Sequence, residues 1–491
     1  MLTKTHLLAA VQCPRRAWLT IRDPARATPP EASQTALRDA GRSVGRLAHA
    51  LFPGAVRVEE SDFTAARART AALVADPRVP AILEAAVEHD GIAIRADILE
   101  RLPGGAFGLR EVKSGTRVRD VHLDDLAIQR HVLVGAGFPI ASVELIHVDP
   151  DYVRGEGAIE WPRLFVRRDV AADVDARTPE IAPRARAVRD ALTHPDAPAI
   201  EPSPHCASPY RCEFWEHCTQ EKPADWILHF GRIRPLQWTA LREAGTTRLA
   251  ELQDTDEVPI VLRRARDAVA SGRGIAAPGL ADALAALGPP TEYLDFETVS
   301  AALPPYPGTR PYERVPFQWS VHRLDASGTL THFDHLADGR SDPRRAFAET
   351  LLVRTAGRTD PILVYSDFES DVLHEVALAL PDLAPALEEL RARLRDLLPI
   401  IRMHVYHPDF RGSFSLKRVA PALVPGFGYT DLGEIHNGAE ATVQLARIIA
   451  GDYAADAEQR LRAALLAYCA RDTEALVRVH QALRTLAASQ R

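Results

Sequence analysis

The run Tyr293-Leu294-Asp295-Phe296-Glu297-Thr298 constrains the fold more than any other stretch of the chain. Successive side chains of an extended segment point to opposite faces, so Asp295 and Glu297 share one face while Leu294 and Phe296 share the other. Such a strand needs an apolar layer beneath it. Above it, two neighbouring carboxylates need water or a positive partner. Like charges this close are unfavourable unless a cation lies between them, and a hard divalent ion with oxygen ligands is the usual partner. The plainer reading is an edge strand with two solvated acids. The rest of the C-terminal half separates the two readings.

Further acids appear there in a matching order. Val315 to Leu324 reads as a strand and Asp342 to Thr355 as a helix. Pro361 to Phe368 reads as a buried strand running into a turn, with a helix starting near Glu369; Asp367 and Asp371 offer the same charge nearby. Tyr468 and Asp472, four apart on a late helix, lie on one helical face. Cys469 beside them reads as a packing residue. Between these elements lies an aromatic and basic stretch. Bases stack on aromatics while Lys and Arg meet phosphates, so Tyr406, Phe410, Phe414 and Lys417 are candidate contacts to a nucleic-acid strand. The alternative is a structural loop that caps the next helix with Ser415.

A second acidic set lies in the N-terminal half. Gly91 to Glu100 and Gly108 to Gly115 read as strands joined by the turn Leu102-Pro103-Gly104-Gly105. In that hairpin Asp97 can oppose Glu111, and Glu111 shares a face with Lys113. Metal-dependent phosphodiester cleavage uses such a set: carboxylates hold the cation, and a lysine positions the nucleophile or neutralises developing charge. A surface ion pair between Glu111 and Lys113 is the alternative. Leu123 to Val134 reads as an amphipathic helix bearing Gln129, and Ser142 to Val148 as another strand. Residues 31 to 52 read as helical and include Gly45 and His49. Trp226 to Pro290 reads as a helical connector; its fragment at 240–252 either holds a phosphate on backbone N–H groups or acts as a spacer.

Five cysteines in 491 residues make no disulfide framework. Cys206, Cys212 and Cys218 are spaced Cys-x5-Cys-x5-Cys with aromatics between them, and they need a fourth ligand. His205 or His217 would complete a zinc site. Cys13, placed by Pro14 at a helix N-terminus, would complete four thiolates, the usual donor set of an iron–sulfur cluster.

The length suggests two to four domains. Hydrophobic content of 46% with 25% charged residues is that of a folded soluble protein. The longest apolar runs fall short of the roughly 18 residues a membrane span needs, so a cytoplasmic location is expected. A formal charge of -7 argues against wholesale coating of nucleic acid. Residues 1–50, with eight Lys or Arg against three acids, form a basic arm that would meet phosphates or simply be a solvated helical surface.

Cys13-Pro-Arg-Arg-Ala-Trp18, Asp97, Glu111-Val-Lys113, Gln129 and the late cysteine trio resemble the RecB-like nucleases of the PD-(D/E)xK superfamily that carry an iron–sulfur cluster. The resemblance implies that Asp97, Glu111 and Lys113 are catalytic, that Gln129 belongs to a fourth motif, and that His49 is an additional metal ligand. It also implies a 4Fe-4S cluster on Cys13, Cys206, Cys212 and Cys218 that clamps the domain's ends together. The order Asp295-x-Glu297, Glu369, Tyr468-x3-Asp472 resembles the DEDD exonucleases of the ribonuclease-H-like fold, Tyr subclass, with Glu369 standing where the wider family has Asp. There the four acids would hold two Mg²⁺ or Mn²⁺ ions, and Tyr468 would orient or deprotonate a water. The whole chain resembles a bacterial family, domain of unknown function 2779, that fuses the two nuclease types.

The expected fold is therefore α/β, with a RecB-like nuclease domain at 1–222, a helical connector at 223–288 and a ribonuclease-H-like domain at 289–491. The expected function is hydrolysis of nucleic acid, DNA favoured, with a 3′–5′ exonuclease centre in the C-terminal half. A nucleic-acid binding module with inactive centres, or a zinc-stabilised scaffold, are the readings from other classes.

Overall fold

The computed structural model describes the chain except residues 31, 232, 255–257 and 490–491. It is a mixed α/β protein. Its contacts divide it into two compact units, Met1–Glu221 with Ala302–Tyr312, and Lys222–Ala301 with Glu313–Arg491. The units divide at Glu221/Lys222, one residue from the expected 222/223, and no division falls at 288. The connector at 223–288 is no separate domain: its strand Ile275–Ala276 pairs with Val405–Tyr406, inside the second unit. Residues 302–312, expected in the C-terminal domain, belong to the first unit, where Arg154 Nη1 donates to the Pro304 carbonyl at 2.9 Å.

The first unit is built on a seven-stranded sheet. Its strands run in the order Val56–Arg57, Ala81–His89, Ile92–Arg101, Phe107–Lys113, Ile140–Val148, Phe165–Asp169, with Leu2–Thr3 parallel to the start of Ile92–Arg101. Phe107–Lys113 and Ile140–Val148 are parallel neighbours, and a parallel pair needs a crossover. Helix Asp120–Gly135 makes it. That crossover lays Leu126, Ile128 and Val132 over the sheet in one apolar core. A second core, including Val44 and Ala48 of helix Ala32–Ala48, packs with Ile98, Val112 and Ile146. Near the N-terminus helix Lys4–Gln12 ends at Cys13, and Pro14 opens helix Pro14–Arg22 at a position where its missing N–H costs nothing.

The second unit centres on a five-stranded sheet in the order Leu330–Leu336, Val315–Leu324, Thr291–Val299, Ile362–Val364, Leu394–Asp396. The first three strands are antiparallel to one another, while Ile362–Val364 runs parallel to both of its neighbours. Alternation decides what each face meets. Leu294, Phe296, Trp319 and Val321 pack beneath with Phe347, Val372 and Leu373. The opposite face is covered by helix Ala455–Ala488, 34 residues without Gly or Pro.

Polar pairs fix how that helix lies. Gln318 Nε2 donates to the Leu465 carbonyl at 2.9 Å, Ser320 Oγ and His322 Nδ1 each lie 2.8 Å from Thr473 Oγ1, and the Tyr293 hydroxyl lies 2.9 Å from His480 Nδ1. These partners are buried, so each bond lost leaves desolvated groups behind. Thr473→Val keeps the side-chain volume and removes the shared hydroxyl. It should cost about 1–3 kcal/mol in urea unfolding of the full chain; an unchanged midpoint would show that the pairs do not anchor the helix.

Candidate functional site

In the second unit the strand Thr291–Val299 aims Asp295 and Glu297 at the covering helix, which returns Tyr468 and Asp472 to them from one of its faces. One carboxylate oxygen from each of Asp295, Glu297 and Asp472 lies within 4.8 Å of the other two. Among the described residues this is the one convergence of three or more metal-ligating groups at that range. Glu369 enters from helix Phe368–Ala379. The turn before that helix is strained: Ser366, not a glycine, has φ 137°, and its Oγ accepts from the Phe368 N–H at 3.2 Å. Glu369 is buried with its Oε2 unpartnered, whereas Asp367 and Asp371 are exposed and Asp371 faces Arg314. Of the three acids that the sequence offers here, Glu369 is the one turned inward.

The electrostatics describe a centre short of positive charge. Burial raises Asp295, Glu297, Glu369 and Asp472 above their ordinary values, and for the first three the neighbouring acids raise them further. The Cys469 thiol donates to Asp295 Oδ2 at 3.3 Å and the Tyr429 hydroxyl to Asp472 Oδ1 at 2.6 Å. Burial and then Asp472 raise Tyr468 far above its usual value, so its phenol stays protonated. Gly438 opens the adjoining helix Gly438–Ala450; a Cβ there would sit 3.8 Å from Glu297 Oε2 and 3.9 Å from the Tyr468 hydroxyl, inside the centre.

The aromatic strand path expected nearby does not form. Tyr406 and Phe410 are fully buried and pack with Phe414 at ring-centroid distances of 5.5 to 5.8 Å. They build the core under the loop and offer bases no face. Ser415 stands at the N-cap of helix Leu416–Leu423 without a side-chain capping bond. Lys417, the remaining member of the set, turns inward and donates to the Tyr468 hydroxyl at 2.6 Å.

The first unit gathers Asp97, Glu111, Lys113 and Gln129 at one point. Asp97 Oδ2 accepts from the Val112 N–H at 2.9 Å across the strand pair. Lys113 Nζ donates to Glu111 Oε1 at 2.5 Å, and Gln129 Nε2 donates to Glu111 Oε2 at 2.7 Å. Two residues missing from the sequence-based set complete it. Asp125 accepts from Lys113 at 2.8 Å and from Gln129 at 2.9 Å, and Lys4 lies 2.9 Å from Asp125 and 3.5 Å from Glu111. Asp125 precedes Gln129 by one helical turn, a signal that was available; Lys4 sits 109 positions before Lys113, and nothing local links the two. Burial raises Glu111 to about 7, helped by Asp125 and Asp97. Burial opposes ionisation of Asp125 too, but Lys4 and Lys113 outweigh it and hold that carboxyl well below its usual range.

Asp97, Glu111 and Lys113 open onto a cleft of about 910 Å³ that His49 also lines. Arg42, Arg46, Arg57 and Arg95 line it as well, together with Glu59, Glu60 and Glu84, so its lining carries both signs of charge. An added Cβ on Gly45 would meet nothing within 4 Å, which leaves the helix backbone open to the cleft.

Cys13, Cys206, Cys212 and Cys218 line one pocket, all as free thiols. Gln12 Nε2 donates to the His205 and Tyr210 carbonyls at 3.0 and 2.8 Å, and Arg16 Nε to Glu213 Oε2 at 3.0 Å, so protein contacts already join the N-terminal helices to this segment. Burial raises Cys206 and Cys218 and pushes Cys212 up to about 11.

Residues 292–415 match the family model described as "Domain of unknown function (DUF2779)". The likeness is to DUF2779. It spans Asp295, Glu297 and Glu369 and stops short of Lys417, Tyr468 and Asp472. No curated protein and no solved structure matches the chain. No helix among the described residues is long and apolar enough to cross a membrane.

Protons held by the raised carboxylates must leave before a cation can bind. Any divalent affinity at this cluster should therefore rise with pH from about pH 4, the ordinary carboxylate range, upward. Titration of Mg²⁺ or Mn²⁺ at a series of pH values should show binding that strengthens as pH rises; an affinity independent of pH would contradict proton-linked acids.

Proposed function

We propose that this chain is a metal-dependent nuclease with two centres, acting on DNA in preference to RNA. The observation that carries the reading is the convergence of Asp295, Glu297 and Asp472, with the unpartnered Glu369 oxygen turned inward on the same unit. Three ionised acids at that range are untenable in a buried site without cations, and oxygen donors of this kind suit Mg²⁺ or Mn²⁺. Bound there, a divalent pair would lower the pKa of a water and stabilise the leaving oxygen of a phosphodiester. Asp295, Glu297, Glu369 and Asp472 would hold the ions. Tyr468 would orient that water or take its proton. A sheet whose strands run 3-2-1-4-5 in chain order, with the first three antiparallel, fits a ribonuclease-H-like exonuclease trimming 3′ ends.

The first unit is proposed as the RecB-like centre. Asp97 and Glu111 are its candidate cation ligands with His49 at the cleft wall, Lys113 its positive group and Gln129 the residue that orients Glu111. The cleft arginines are suited to phosphates, which they can meet with paired hydrogen bonds. The preference for DNA rests on the resemblance to RecB-like enzymes alone.

The four free cysteines are proposed to hold an iron–sulfur cluster, 4Fe-4S by the same resemblance. A single zinc with Zn–S bonds of about 2.3 Å would bring its sulfurs to about 3.8 Å from one another. Either group would draw on the same four thiols, which line one pocket. Held there, the cluster would supply a covalent clamp between Cys13 and the distant Cys206–Cys218 segment.

End-labelled single-stranded DNA, duplex DNA and RNA incubated with Mg²⁺ or Mn²⁺ test the two centres. Glu297→Gln should remove 3′ trimming by about 100-fold or more, and Lys113→Ala should remove a different product pattern by a similar factor. A double variant as active as wild type would sink the proposal and leave a binding module. Anaerobically purified protein should be brown and contain iron, and a colourless, iron-free preparation would overturn the cluster assignment.

A further inference from the structure

Lys417 is committed in a way that a phosphate-facing lysine is not. Its ammonium donates to the Tyr468 hydroxyl at 2.6 Å and to the His436 carbonyl at 2.9 Å, which uses two of its three hydrogens. It also lies 4.4 Å from the Tyr468 ring centroid and 5.4 Å from that of Tyr429. Helix Leu416–Leu423 packs against the C-terminal helix, and Lys417 is half-buried between them. The side chain is therefore fixed by a charge-assisted hydrogen bond, a carbonyl and two aromatic faces.

The consequence falls on the phenol. A tyrosine hydroxyl both donates and accepts, and its hydrogen goes wherever the local partners leave room. With the ammonium donating into the hydroxyl oxygen, the phenolic hydrogen has to point away from Lys417, and Asp472 follows Tyr468 by one turn on the same helical face. The Tyr429 hydroxyl donates to the Asp472 carboxylate at 2.6 Å and holds that acid in place beside the phenol. We propose that in the exonuclease centre inferred above, on which this role depends, Lys417 is a positioning residue: it fixes the Tyr468 hydroxyl as a donor aimed at the acid cluster, and acts on the reaction only through Tyr468.

A double-mutant cycle in the full chain tests this, with the rate of 3′ trimming of single-stranded DNA in Mg²⁺ as the readout. Lys417→Met should lower kcat by about 10- to 100-fold with little change in KM, a loss typical of a displaced catalytic group. In the Tyr468→Phe background the same substitution should cost less than about twofold, because the hydroxyl it acts on is gone. Lys417→Arg, which keeps a cationic donor, should recover much of the loss. Equal losses in both backgrounds, or a loss confined to KM, would mean that Lys417 meets the substrate directly and would overturn the inference; so would an unchanged kcat. Lys417→Gln serves the same cycle if Lys417→Met does not fold. Glu297→Gln in the same assay separates the two levels. If it is inactive while the cycle is additive, only the role of Lys417 falls; if it trims like wild type, the exonuclease centre falls and this role with it.

Discussion

Buried carboxylates have to be neutralised, and the two units meet that constraint differently. Around Glu111 the chain supplies its own cations: Asp97, Glu111 and Asp125 against Lys4 and Lys113, three acids to two ammonium groups. Around Asp295 it supplies less: Lys417 is the cation that opposes the raised acids Asp295, Glu297 and Asp472, and Glu369 adds a fourth carboxylate. The first centre is consequently held together by hydrogen-bonded ion pairs, whereas the second relies on protons or on ions from outside. Removing one partner of a buried pair leaves the other uncompensated, so the first network is costly to break piecemeal.

That difference shapes what surrounds each centre. In the second unit the acids are kept in place by groups with no charge of their own: the Tyr429 hydroxyl, the Cys469 thiol, and the polar row of Gln318, Ser320 and His322 that docks the C-terminal helix. Because this helix carries both Tyr468 and Asp472, its register against the sheet sets the spacing of the whole cluster. In the first unit the crossover helix does the equivalent work, returning Asp125 and Gln129 over Glu111.

Much of both centres was legible from spacing. Two-residue alternation put Asp295 with Glu297 and Glu111 with Lys113, and four-residue spacing put Tyr468 with Asp472, because those periods belong to the backbone itself. Legibility failed where a side chain's surroundings come from distant chain. Tyr406 and Phe410 have the composition of a base-stacking surface, yet they are the buried filling of a loop; aromaticity alone does not say which side is wet. Lys417 has the charge to meet a phosphate and instead faces a phenol. Lys4 and Tyr429 were invisible, since each reaches its acid from a segment with no motif. The connector at 223–288 read as a separate domain because helical pattern does not reveal what a helix packs on.

The sequence by itself determined the strands and helices that carry the acids, the face on which each acid lies and the four thiols available to one group. Those follow from local geometry, which is periodic and short-ranged. The tertiary structure decided which acids are inward, that Glu369 is turned into the unit while Asp367 and Asp371 are not, that Lys4 and Asp125 complete one centre, and that Lys417 is tied to Tyr468. Burial and pairing between distant segments set these, and both depend on contacts that no sequence period encodes.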